Sequence, residues 1–192
     1  MKQNSEKYAA DLANILRGNT QLMDILNFLY VLEPKAYLAA GVIRNSVWAA
    51  LHEQSFSLKD TEIDVIFYDE ADVDATHAQF LQQQLMQHFP EIEWDMTNQA
   101  FVHHWYRKDS GEPIAKLTSI AEALSLWPET ATAIAVHLND DAQLEYIAPF
   151  GLSDLFELKL RWNKALVSYE VFMHRLHTKK FLEKWAKLKL IE

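Results

Sequence analysis

Leu12, Ile15 and Leu16, then Leu22, Ile25, Leu26 and Leu29, recur at three- and four-residue steps. That spacing puts them on one helix face and predicts two short amphipathic helices. They break near Gly18-Asn19, with Thr20 the expected cap of the second, and Pro34 closes a helical segment of about 5–33. Ala36 to Ala40 is a short apolar run stopped by Gly41, which reads as a buried strand. Helical spacing resumes from Val42 to Leu51 through Ile43, Val47, Ala50 and Leu51, and residues 52–60 form a polar loop.

Ile63-Asp64-Val65-Ile66-Phe67-Tyr68 is β-branched and aromatic and predicts a strand. Asp72 to His88 predicts a helix with Phe80, Leu81, Leu85 and Met86 on one side. Ile92 to Met96 alternates apolar and acidic residues, a second strand. Asn98 to Trp105 reads as a helix or tight turn, and Ser119 to Trp127 as a helix with Ser119 and Glu122 at capping-box positions. Thr130 to Leu138 and Leu144 to Ala148 predict a hairpin around Asn139-Asp140-Asp141-Ala142. A short helix opens at Gly151, and a long terminal helix is expected over about 167–188 with a basic, solvated outer face. The expected fold class is α+β (α/β-like): one domain over 1–192, a mixed sheet of about five strands flanked by helices.

The composition, 49% hydrophobic and 23% charged, is that of a globular chain. The formal net charge of −9 argues against a broad electropositive surface for nucleic acid. With no cysteine, thiolate metal sites and cysteine nucleophiles are excluded. Four glycines leave no dinucleotide fingerprint and no Walker A loop. The polar opening Met1 to Lys7 and the absence of a long apolar run lead to the expectation of a cytoplasmic protein without a membrane segment.

Two pieces carry chemistry. Glu62-Ile63-Asp64 places two carboxylates on one strand face, where they repel unless a cation lies between them. A hard ion such as Mg²⁺, held by one or two carboxylates plus substrate phosphates, relieves that repulsion. Upstream, Ala40-Gly41-Val42-Ile43-Arg44-Asn45 is a strand end, a glycine turn and the first turn of a helix. Such a turn offers backbone N–H groups and a positive helix end to an anion, and Arg44 adds a forked donor for phosphate.

Taken together, these pieces resemble the polymerase-beta-type nucleotidyltransferase fold, and more narrowly a small bacterial nucleotidyltransferase-like family. The matching stretches are Ala40 to Trp48, Asp64 to Asp69, Trp94 to Ala100, Trp127 to Ala133 and Ala148 to Phe156, in that order. The resemblance implies that Gly41, Arg44 and Asn45 face a nucleoside triphosphate. It implies that Glu62 and Asp64 hold Mg²⁺, with Asp95 the candidate third carboxylate. The implied reaction is attack of an acceptor group on the α-phosphate with pyrophosphate leaving. The acceptor is read as an unknown small molecule or protein, because an acidic chain lacking RNA-binding domains does not suit tRNA tailing.

Two positions depart from the family pattern. Glu62 stands where aspartate is expected, and Phe101 where arginine is expected. They motivate an alternative, a non-catalytic nucleotide-binding or protein-interaction module. A third reading, a metal-dependent hydrolase, would use Asp64, Asp95 and the His103-His104 pair. Trp48 and Trp94 are the tryptophans expected near the cleft.

Overall fold

In the computed structural model, helices α1 (Lys2–Arg17) and α2 (Thr20–Leu32) form as their periodicity dictates. The structure describes residues 2–59 and 61–191. Met1, Glu192 and the last residue of the 52–60 loop, Asp60, lie outside the described residues. Leu12 and Leu16 of α1 and Leu22, Ile25, Leu26 and Leu29 of α2 are all buried. The cap of α2 is Asn19 rather than Thr20: the Asn19 side chain accepts from the Leu22 N–H at 3.1 Å. Asn19 has the extended backbone that a capping residue needs, whereas Thr20 is already helical.

Five strands build one mixed sheet: β1 (Tyr37–Ala39), β2 (Glu62–Phe67), β3 (Glu93–Asn98), β4 (Ala135–Leu138) and β5 (Leu144–Ile147). Their order is β3-β2-β1-β4-β5. β2 and β3 run parallel, as a connection through helix α4 (Thr76–His88) allows. The remaining pairs are antiparallel, and β4–β5 is the expected hairpin. Ile63, Val65, Phe67 and Trp94 lie on one face and join the main core. Helix α3 (Gly41–Leu51) runs through that core with residues 42–49 buried all round.

The opposite face carries Ala39, Ile66 and Ala135, which pack with Ile120 and Leu124 of helix α5 (Ile120–Ser125) in a smaller cluster. Ser119 caps α5 by accepting from the Glu122 N–H at 3.1 Å. Glu62 and Asp64 share this second face, where α5 does not cover them, and open onto a cleft.

Several boundaries differ from expectation. Helix α4 starts at Thr76, not Asp72, because the buried Asp72 carboxylate accepts from the His77 and Ala78 N–H groups at 2.8 and 3.1 Å. Only Leu81 and Leu85 of its predicted apolar side are buried; Phe80 and Met86 are exposed. β4 begins at Ala135 because residues 129–134 are coiled by local bonds such as Thr132 N–H to Glu129 O.

The expected terminal helix over 167–188 is two helices, α6 (Tyr169–Thr178) and α7 (Phe181–Lys184), separated by Lys180 at φ 52°. The buried positions Phe172, Leu176, Phe181 and Trp185 step by four, five and four. A five-residue step leaves the stripe of a straight helix, so the chain re-registers between Leu176 and Phe181. A second sheet, parallel β6 (Lys159–Arg161) with β7 (Lys189–Ile191), ties this segment down. Strands of three residues leave too little alternation to be read from sequence. Among the described residues no helix is long and apolar enough to cross a membrane.

Candidate active site

The acidic end of the sheet follows directly from strand register. Parallel pairing sets Glu62 beside Glu93 and Asp64 beside Asp95, so one face carries four carboxylates on two strands. On its other side Asp64 faces Ala39 of β1, a small and uncharged neighbour. Glu62 and Asp95 are exposed, and Asp64 is half-buried. No ion pair among the described residues engages any of the three. Burial, and then the charges of Asp95 and Glu62, push the Asp64 carboxyl up to about 6. The Gly41 N–H, which donates to Asp64, and the Arg44 guanidinium act in the opposite direction.

The turn entering α3 completes this end. Gly41 is the first helical residue, but the backbone in an unusual conformation is Ala40, at φ 51° and ψ −114°. Ala40 is held there by its N–H bond to the Ile134 carbonyl at 3.0 Å. At Gly41 the missing side chain matters as space. A Cβ there would stand 3.7 Å from Arg44 Nη2 and 3.9 Å from Asp64 Oδ2, filling a gap between a guanidinium and a carboxylate.

Arg44 is only 7% exposed. Asn45 Oδ1 accepts from its Nε and Nη2 at 3.3 and 3.1 Å, so Asn45 orients the guanidinium as well as lining the cleft. Nη1 reaches Thr132 Oγ1 at 3.5 Å. The guanidinium carbon lies 4.4 Å from the centre of the Phe181 ring and 5.3 Å from that of Trp48. Burial draws the Arg44 pKa down to about 10, while Glu129 and Asp64 favour its charge and Arg175 opposes it.

The cleft has a volume of about 640 Å³ and takes in Gly41, Arg44, Asn45, Glu62 and Asp64. Asp95 is adjacent to Asp64 in the sheet but is not among the lining residues. No three histidine, aspartate or glutamate side chains among the described residues form a metal-holding group. A magnesium ion is commonly completed by substrate phosphates, so two carboxylates without ion-pair partners that line an open cleft fit such an ion without a preformed cage.

Sequence reasoning missed much of the opposite wall. Arg175, Lys179, Phe181 and Lys184 line the cleft, although the terminal lysines read as a solvated face; Glu129, one of the polar residues that the sequence offered for the cleft, lines it too. Glu129 is fully buried and its Oε1 accepts from Arg175 Nε at 2.6 Å. The signal available for this wall was the irregular step from Leu176 to Phe181. Trp48 and Trp94 are buried and do not line the cleft; Trp105, Trp127 and Trp185 do. Neither His103, Phe101 nor His104 lines it. Phe101 instead packs its ring 5.5 Å from that of His104. Asn98 does not face a ligand: its side chain clamps the Asp69 backbone and accepts from the Ala100 N–H.

The fold is shared with known proteins. Residues 32–190 match the family described as Nucleotidyltransferase. The chain belongs to the nucleotidyltransferase family. Comparison with curated proteins gives no match. One solved structure, described as revealing a CCA-adding enzyme head domain by NMR, is 29% identical with a TM-score of 0.79 over 95% of each chain. The Thermotoga maritima CCA-adding enzyme complexed with tRNA is 15% identical, with a TM-score of 0.60 over 94% of this chain and 42% of that one. A tRNA-processing enzyme in an apo form is 17% identical, with a TM-score of 0.58 over 91% of this chain and 45% of that one. The chain therefore spans less than half the length of those two enzymes, and the likeness to them is one of fold. The polymerase-beta-type fold expected from the ordered motifs is the fold observed.

Proposed function

We propose that this chain is a Mg²⁺-dependent nucleotidyltransferase that moves a nucleotidyl group from a nucleoside triphosphate to a small-molecule or protein acceptor. The observation that carries this reading is the gap at Gly41, bounded by Arg44 on one side and Asp64 on the other. A Cβ there would stand between the two groups, and the turn joins a helix start, of the kind that favours anions, to a carboxylate pair with no ion-pair partner among the described residues.

Glu62 and Asp64 would hold the metal, which when bound stabilises negative charge developing on the phosphate oxygens. The Arg44 guanidinium, fixed by Asn45 and the Phe181 ring, would orient the phosphates, while the Gly41 N–H holds Asp64. An acceptor oxygen attacks the α-phosphorus; the new P–O bond forms as the bond to the β-phosphate bridging oxygen breaks, and pyrophosphate leaves. One of the carboxylates would take the acceptor's proton, and Asp95, beside Asp64 in the sheet though outside the cleft lining, is the candidate third carboxylate. The net charge of −9 supports an acceptor other than nucleic acid.

The test is incubation with nucleoside triphosphates labelled at the α-phosphate, Mg²⁺ and either cell extract or tRNA, comparing wild type with Asp64→Ala. The reading requires labelled product plus pyrophosphate from wild type alone. Label passing to tRNA would move the acceptor class to nucleic acid. Inorganic phosphate release with no transferred label would support hydrolysis instead. The alternative of a non-catalytic nucleotide-binding module is supported by Glu62, one methylene longer than the expected aspartate, and by the lack of a preformed metal group among the described residues. It requires nucleotide binding with no transfer product for any acceptor.

A further inference from the structure

The carboxylates at the sheet end create a problem that they do not solve. A triphosphate brought to Glu62 and Asp64 meets like charge, and a metal of charge +2 offsets only part of it. The opposite wall carries the complementary charge. Arg44, Arg175, Lys179 and Lys184 all line the same cleft. No carboxylate forms an ion pair with Arg44, Lys179 or Lys184 among the described residues, whereas Lys116, Lys159 and Arg161 elsewhere each have one. In a chain of net charge −9, this wall is a local departure from the composition.

The wall is also fixed in place. The fully buried Glu129 holds Arg175 at 2.6 Å. Phe181 of α7 lies on the Arg44 guanidinium and couples the wall to the Gly41 turn. Lys179 follows α6 directly and Lys184 ends α7, so both exposed ammonium groups hang from a segment that the β6–β7 pairing anchors.

We propose that Arg44, Arg175, Lys179 and Lys184 form the subsite for the β- and γ-phosphates, the part that leaves as pyrophosphate. This rests on the nucleotidyl-transfer reading above. The α-phosphorus must lie at the carboxylates where the bond is made, so the tail of the donor falls to the cationic wall. Such a wall binds the departing pyrophosphate without the metal and favours triphosphates over monophosphates.

The experiment is calorimetric titration of the full chain with inorganic pyrophosphate, and separately with inorganic phosphate and AMP, in EDTA. Wild type is expected to bind pyrophosphate at least about tenfold more tightly than phosphate or AMP, with affinity falling as salt rises. Lys179→Ala with Lys184→Ala is expected to weaken pyrophosphate about tenfold; both side chains are exposed, so folding is not at stake. Unchanged pyrophosphate affinity in that variant overturns the subsite, as does wild type that does not prefer pyrophosphate to phosphate. A parallel titration of Asp64→Ala separates the two readings. If transfer is lost in Asp64→Ala but the lysine variant binds pyrophosphate as wild type does, the subsite fails and nucleotidyl transfer stands. If no transfer occurs in wild type while the lysine variant loses pyrophosphate, the wall stands as a polyphosphate site and the transfer reading fails.

Discussion

The two sides of the cleft are built by different physics. The sheet side is made of consecutive strand residues whose direction is set by a period of two, so Glu62 and Asp64 must share a face. The helical side is assembled from segments 46 residues apart in sequence, as the Glu129–Arg175 pair illustrates. The first side is acidic, without ion-pair partners, and raises the pKa of its own central group. The second is cationic and stiffened by an ion pair and an aromatic ring. Local periodicity thus places the charge that repels a polyphosphate, and long-range packing places the charge that attracts it.

The largest effect is expected where the sheet side is broken. Asp64→Ala should lower Mg²⁺-dependent transfer at least a thousandfold, about 4 kcal/mol of transition-state stabilisation. Label transfer from the α-phosphate measures it. Next comes the helical side. Phe181→Ala removes a buried ring from both the core and the Arg44 contact, and should cost about 3 kcal/mol of stability. For a chain of this size that is a Tm drop of roughly 6–12 °C, read by thermal denaturation.

A third test concerns pH in EDTA. The folded-state pKa of Asp64 is raised to about 6, so its burial is harmless below the unfolded value and increasingly costly as pH rises through 6. Asp64→Asn should therefore stabilise the metal-free protein at pH 8 by up to about 3 kcal/mol, with the gain vanishing near pH 4. Denaturant midpoints at the two pH values measure it. The smallest effect is expected at Phe101→Arg. Since Phe101 lies outside the cleft lining, nucleotide affinity should stay within about twofold of wild type.

Much of the sheet side was legible in the sequence. The apolar alternation around Glu62 and Asp64, and the Ala40 to Asn45 turn, follow from local rules. Asp95 was put near Asp64 only by the family resemblance, because periodicity predicts a strand but not its partner or its register. Glu129 to Thr132 read either as polar side chains for the cleft or as a strand entering the sheet; the backbone coils there, and Glu129 and Thr132 line the cleft. At the glycine turn the conformational demand fell on Ala40, so the role of Gly41 is the room that it leaves. The helical wall was hidden because a basic run on a helix looks the same whether it faces water or a cleft. Only the five-residue step between Leu176 and Phe181 marked the bend that brings it round.

The central claim is that one nucleotide lies across both sides at once. Thermal-shift titration with each nucleoside triphosphate, with and without Mg²⁺, on wild type, Asp64→Ala and Lys179→Ala tests it most directly. At 100 times the dissociation constant a ligand adds ~2.7 kcal/mol, a shift of roughly 5–11 °C. The account predicts a Mg²⁺-enhanced shift in wild type. Asp64→Ala should lose the Mg²⁺-dependent part alone, and Lys179→Ala should diminish the part that remains in EDTA. A shift that is the same in all three proteins, or absent with every nucleotide, would contradict it.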